Sequence, residues 1–275
     1  MKKILLVFLL WIGSLNIYPQ YNVDQPMSLI EVNGVSIAYT TTGEQENTPV
    51  LMIMGLMGSH KVWGEEIVNG LVDAGYRVIL FDNRDTGESE NLDRLGKPNL
   101  YWKFAMNSLG IDFSAPYTLS DMALDGLGIL DHLGVEEAHI VGASMGGMIA
   151  QTLAYEHPER VKSLVSIMST TGAPHLSQMS RRNEQNFRNA GEMDRERVHA
   201  YGFFPEAMPR QMTAIMKAGD RSEQVSSINV STLVQHGVND TLLPPDHGEH
   251  TAELISGSEL KIYENMGHNL PPSVL

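Results

Sequence analysis

The stretch Ile140-Val141-Gly142-Ala143-Ser144-Met145-Gly146-Gly147 decides the reading of this 275-residue chain. His139 to Ala143 is an apolar run of the kind that forms a strand buried on both faces of a parallel sheet. Gly146 to Glu156 reads as a helix, stopped by His157-Pro158. Gly142 and Gly146 therefore flank Ser144 at a direct strand-to-helix turn. A turn that tight leaves almost no room for side chains two positions from the serine. The serine hydroxyl is expected to project from the sheet edge at the helix N-terminus. The Met145 amide should point at the same space, where it can hold a developing oxyanion.

A serine is a weak nucleophile and needs a base that is oriented by a third group. Tyr263-Glu264-Asn265-Met266-Gly267-His268 offers a strand end, a turn and then a histidine, so His268 is the expected base. The orienting carboxylate should follow an earlier strand. Leu233 to Gly237 ends such a strand and Val238-Asn239-Asp240 follows, which selects Asp240. Asp246 competes but falls in the next helix, and Ser169-Thr170-Thr171-Gly172 after another strand holds no carboxylate. The order serine, acid, histidine differs from that of chymotrypsin and subtilisin. A second oxyanion donor is expected from Gly55-Leu56-Met57-Gly58-Ser59, with the Leu56 amide favoured. His60 lies near that loop and reads more simply as a loop histidine than as a substrate contact.

Further outward, apolar runs and helical periods alternate along the chain. Ser28 to Val32 and Val35 to Thr40 flank Asn33-Gly34, a strong hairpin signal. Val50 to Met54, Tyr76 to Phe81, Val161 to Met168, Val230 to His236 and Glu259 to Tyr263 read as further strands. Helices are expected over Val62 to Ala74, from Thr118 to Gly134, and over Asp246 to Ile255. Thr118 and Asp121 have the spacing of a capping box. Residues 91–117 read as irregular. The expected fold class is α/β, a mostly parallel sheet with helices on both faces. Residues 171–229 interrupt the alternation and read as a small helical lid, with Phe187, Tyr201, Phe203, Phe204 and several methionines. An apolar substrate pocket is an expectation from that composition.

With these residues placed, the chain resembles the α/β-hydrolases from about Leu29 onward. Phe81-Asp82-Asn83-Arg84-Asp85-Thr86-Gly87-Glu88-Ser89 is similar to that family's Asp-x-Arg-Gly-x-Gly-x-Ser loop, with Asp85 at the usual glycine. In relatives the loop is structural. Met54-Gly55-Leu56-Met57-Gly58, Asn83 to Gly87 and Met266-Gly267-His268-Asn269-Leu270-Pro271-Pro272 resemble the aclacinomycin methylesterase-like subgroup. That resemblance implies hydrolysis of carboxylic esters by a serine esterase without a cofactor. Proline iminopeptidase-like or C–C bond hydrolase chemistry, and an inactive truncated ligand-binding relative, are the alternatives. Dehalogenase and epoxide hydrolase relatives place an aspartate where this chain has Ser144. Relatives usually continue past the histidine into a final helix, which is expected to be missing here.

Composition narrows the partners. The chain has no cysteine, which excludes disulfides, thiolate metal sites and cysteine nucleophiles. Its net charge of −14 argues against nucleic acid or an anionic membrane surface as partner and says nothing about the substrate, which the resemblance implies is a small-molecule ester. His236, His247 and His250 do not form a metal motif. Lys2, Lys3 and the apolar run Ile4 to Ile12 read as a signal peptide within residues 1–26. The run is too short for a span, which takes about 20 apolar residues. The expected location is therefore exported, periplasmic or secreted, with residues 27–275 as one domain.

Overall fold

The computed structural model describes residues 20–188 and 194–271. Residues 1–19 of the expected signal segment lie outside the described residues. Eight strands, β1 (Ser28–Val32), β2 (Val35–Thr42), β3 (Thr48–Ile53), β4 (Tyr76–Phe81), β5 (Ala138–Ala143), β6 (Val161–Ile167), β7 (Thr232–Gly237) and β8 (Glu259–Tyr263), form one sheet. Their spatial order is β1-β2-β4-β3-β5-β6-β7-β8. From β4 to β8 all neighbours are parallel, whereas β1, β2 and β4 pair antiparallel. Asn33 and Gly34 both have positive φ, 49° and 75°, as a tight hairpin between β1 and β2 requires. The α/β architecture with a mostly parallel sheet is the one expected from the alternation of elements.

The central strands carry continuous apolar runs, Val50 to Ile53 and Val78 to Phe81, because both faces of the sheet are covered. Val50 and Met52 of β3, with Val78 and Leu80 of β4, pack with Ile67, Val68 and Val72 of α1 (Gly64–Asp73). Leu51 and Ile53, with Ile79 and Phe81, face the other way. They meet Met122 and Leu130 of α3 (Leu119–His132) and Ile149 and Leu153 of α4 (Met145–Glu156). The period-two alternation along each strand thus separates two cores. Thr118 caps α3 with both reciprocal bonds to Asp121.

Two stretches differ from expectation. Residues 91–117 contain a helix, α2 (Leu100–Ser108), capped by the Asn99 side chain. It buries none of its residues, so its apolar side chains carry no core-facing period to read. Tyr21 falls in the stretch assigned to the signal peptide, yet it is buried against α1, and its backbone bonds both ways with Asn69. Between β6 and β7 lie α5 (Arg181–Arg188), α6 (Arg195–Ala200), α7 (Met208–Ala218) and α8 (Ser222–Ser226). Residues Gly202 to Phe204 bond to the loop after β3 through Ser59 N to Gly202 O and Phe204 N to Met57 O, both 2.8 Å. Helix α9 (Asp246–Leu254) precedes β8. No helix among the described residues is long and apolar enough to cross a membrane.

Candidate active site

Ser144 sits between β5 and α4 with φ 57° and ψ −121°, a strained conformation for a residue with a side chain. The flanking glycines make that turn possible. A Cβ on Gly142 would lie 2.2 Å from the Gly146 carbonyl oxygen, and one on Gly146 would lie 2.0 Å from that of Ile53. The Ser144 amide donates to Ile167 O at 2.9 Å, and the Ser169 hydroxyl donates to Ser144 O at 2.8 Å. Backbone and side chain therefore hold the strained residue from both sides.

His268 reaches the serine from the loop after β8. Its Nε2 is 2.9 Å from Ser144 Oγ, and its Nδ1 is 2.7 Å from Asp240 Oδ2. The Asp240 carboxylate accepts the Nδ1 hydrogen, which leaves Nε2 as an acceptor facing the hydroxyl. Asp240 Oδ1 accepts from the amides of Leu242 and Leu243, each at 2.9 Å. Burial works to raise the Asp240 pKa, but hydrogen bonds from His236 and His268 and from the Leu243 amide outweigh it. The carboxyl is held well below the usual carboxylate range. The two loops are stitched together: Asn239 N donates to Met266 O at 3.0 Å and Asn239 Nδ2 to Glu264 O at 2.7 Å. Gly237 permits the close approach, since a Cβ there would lie 2.2 Å from Met266 O.

The loop after β3 closes on the serine from the opposite side. A Cβ on Gly55 would lie 3.0 Å from the Ser144 Cβ and 3.5 Å from its Oγ. Among the described residues, no acceptor engages the Leu56 or the Met145 amide. Met57, at φ 62°, is fixed by Gln211 of α7, whose Oε1 accepts from the Met57 amide at 2.7 Å. Gln211 Nε2 donates to Arg84 O at 3.1 Å and so ties two loops to α7. Asp246 is not brought to the site; its Oδ2 accepts from Ser177 N. His60 is buried, with Nδ1 2.8 Å from Asp82 Oδ1. No group of three metal-ligating side chains occurs among the described residues.

Three contributors escaped the sequence. Gln211 left no signal, because its role depends on where α7 docks. His236 is fully buried, with Nε2 2.8 Å from Leu243 O and 3.4 Å from Asp240 Oδ2. Its Nδ1 has no partner among the described residues and faces Gly248, where a Cβ would lie 2.6 Å away. A dry, unpartnered Nδ1 keeps the hydrogen on Nε2, which donates to Leu243 O with the Asp240 carboxylate as its longer, second acceptor. Arg210 forms a bidentate pair with Asp85 at 2.7 and 2.9 Å, and Tyr117 donates to the same carboxylate at 2.6 Å. Asp85 at a customary glycine position, with φ 75°, was the available hint.

A family model described as the alpha/beta hydrolase fold matches residues 48–207. The rhodomycin D methylesterase DnrP of Streptomyces peucetius is 28% identical over 298 aligned residues, covering 90% of this chain and 94% of that one. The esterase RhEst1 from Rhodococcus sp. ECU1013 superposes with a TM-score of 0.64 at 22% identity, over 88% of this chain and 92% of that one. The enol-lactonase from Burkholderia xenovorans LB400 gives 0.65 at 20% identity, over 86% and 91%.

Proposed function

We propose that this chain, which belongs to the alpha/beta-hydrolase fold family, is a serine esterase that cleaves small-molecule carboxylic esters through an acyl-enzyme. The observation that carries the reading is the unbroken contact chain from Ser144 Oγ to His268 Nε2 at 2.9 Å and from His268 Nδ1 to Asp240 Oδ2 at 2.7 Å. The likeness to a methylesterase over nearly the whole chain supports ester chemistry in particular.

His268 Nε2 takes the hydroxyl proton as Ser144 Oγ attacks the ester carbonyl carbon. The carbonyl oxygen becomes an oxyanion and accepts from the Leu56 and Met145 amides. Asp240 stabilises the imidazolium and keeps the ring in place. The tetrahedral species collapses, the C–O bond to the alcohol breaks, and His268 returns the proton to the departing alkoxide. Water then gives a proton to His268 and adds to the acyl carbon, which releases the acid and restores Ser144. Because the two amides belong to the backbone, they are donors whatever the side chain at Met54.

The test is hydrolysis of p-nitrophenyl esters of graded acyl length, beside Ser144→Ala. Turnover should fall about 10⁴-fold or more in the variant. Equal rates in the two proteins, or no turnover in either while both are folded, would overturn the reading. The dependence on acyl length would describe the pocket.

A further inference from the structure

Helix α2 has its apolar side turned the wrong way. None of its residues is buried, and Tyr101, Trp102 and Leu109 are 77%, 70% and 73% exposed. At 100° per residue, Phe104, Tyr101, Ala105, Leu109 and Trp102 share one face, and that face points to solvent. Leu95 and Ile111 extend the exposed apolar surface at either end. Scattered exposed leucines need no explanation, but a contiguous patch of large apolar and aromatic side chains marks an interaction site.

The local charge is opposite to that of the molecule. Between Asp93 and Asp112 the sequence carries Arg94, Lys97 and Lys103 and no carboxylate, in a chain of net charge −14. The two bounding carboxylates contact α7: Asp93 meets Arg210, which is already paired with Asp85, and Asp112 meets Lys217. The patch thus presents aromatic and aliphatic side chains together with Lys97 and with Lys103, whose ammonium donates to Ser114 O, while Arg94 is paired with Glu90. Two copies meeting across a two-fold axis would set these cations against each other. Tryptophan and tyrosine favour the boundary between headgroups and acyl chains, and nearby lysines favour anionic headgroups. Repulsion from the acidic remainder is screened beyond about 8 Å at physiological salt.

We infer that α2 and its flanks, Leu95 to Ile111, form a docking surface for an anionic lipid layer. The surface is independent of the ester chemistry, but it adjoins it. Helix α2 packs on α7, and α7 holds the Met57 amide next to the loop proposed as an oxyanion donor. Docking would bring that loop toward substrate dissolved in the lipid.

The test is sedimentation of the full chain with vesicles of phosphatidylcholine alone or mixed with phosphatidylglycerol. Wild type is compared with Trp102→Ser/Leu109→Ser and with Lys97→Glu. Binding through the apolar run Ile4 to Ile12 would be common to all three, so the differences report α2. The double variant should lower the affinity for the mixed vesicles at least about tenfold. Lys97→Glu should lower it less, and only for the mixed vesicles. Melting temperature and turnover of a soluble p-nitrophenyl ester should not change, since these residues are exposed and outside the proposed catalytic set. Binding equal in wild type and variants, or absent for every vesicle, would overturn the inference. So would a wild-type dimer that the double variant converts to monomer, because the patch would then be a self-association face.

Discussion

Ser144 carries its strain at a single residue, and the neighbouring glycines are what the strain costs. Gly146 has the least tolerance: a methyl group there would meet Ile53 O at 2.0 Å, a backbone atom in the centre of the sheet. Gly146→Ala is expected to destabilise the fold by about 2 kcal/mol or more, through overpacking that no rotamer can relieve. Urea unfolding would show it as a lower midpoint with an unchanged slope. Asp240 carries a different signature. Its carboxyl titrates lower in the folded protein than the roughly 3.9 of an unfolded chain. A depressed pKa contributes stability that is present above the unfolded value and lost as pH falls toward the folded one. The stability gap between wild type and Asp240→Asn should therefore narrow as pH is lowered from 7 to 3, and a constant gap would contradict the donor set described. His236 supplies one of those donors. His236→Met should cut kcat roughly tenfold with little change in KM, the scale of one lost hydrogen bond to a charged group. His236→Gln, which keeps a donor at the ε position, should recover most of it.

Among the elements, α7 is the one whose docking sets the site. Arg210 and Asp85, both almost fully buried, fasten it to the loop after β4, and Gln211 fastens it to the loop after β3. Removing one member of a buried ion pair strands the other, at about 3–5 kcal/mol. Asp85→Gly would restore the residue that suits φ 75° and yet is expected to destabilise, because Arg210 loses its buried bidentate partner and keeps only the exposed Asp93. Arg210→Met should do the same, and the double variant should cost less than the sum of the singles. A urea double-mutant cycle that gives strict additivity would show the pair to be uncoupled. This latch marks how far the sequence could be read. The strands, α3 with its capping box, the serine turn and the loops bearing Asp240 and His268 are local patterns of period, glycine and chain order. Arg210, Gln211 and His236 act across long sequence separations, so no window around them holds a signal. Helix α2 was missed for a related reason: periodicity reveals a helix by the face it buries, and α2 buries none.

At the scale of the whole molecule, the candidate site draws on parts of unequal stability. Ser144 stands on β5, in the middle of the sheet, between cores on both faces. His268 follows β8, which lies at the sheet edge and is paired to β7 alone among the described residues. Four of its five residues are exposed. Edge strands with little buried apolar surface open locally at a free energy below that of global unfolding. The bonds that stitch the His268 loop to the Asp240 loop run through the same edge, so opening β8 would carry His268 away from Ser144 while the central strands remain paired. Activity should therefore fade at a lower urea concentration than the global transition. Trp63, buried against α1 and the central strands, reports that transition by fluorescence. Hydrogen exchange should agree, with the amides of β8 exchanging faster than those of β3 and β5. Coincident midpoints for turnover and Trp63 fluorescence would mean that β8 is as firmly held as the centre of the sheet. The contacts of the His268 loop with Asn239 and Gly237 would then have to supply what the exposed strand itself does not.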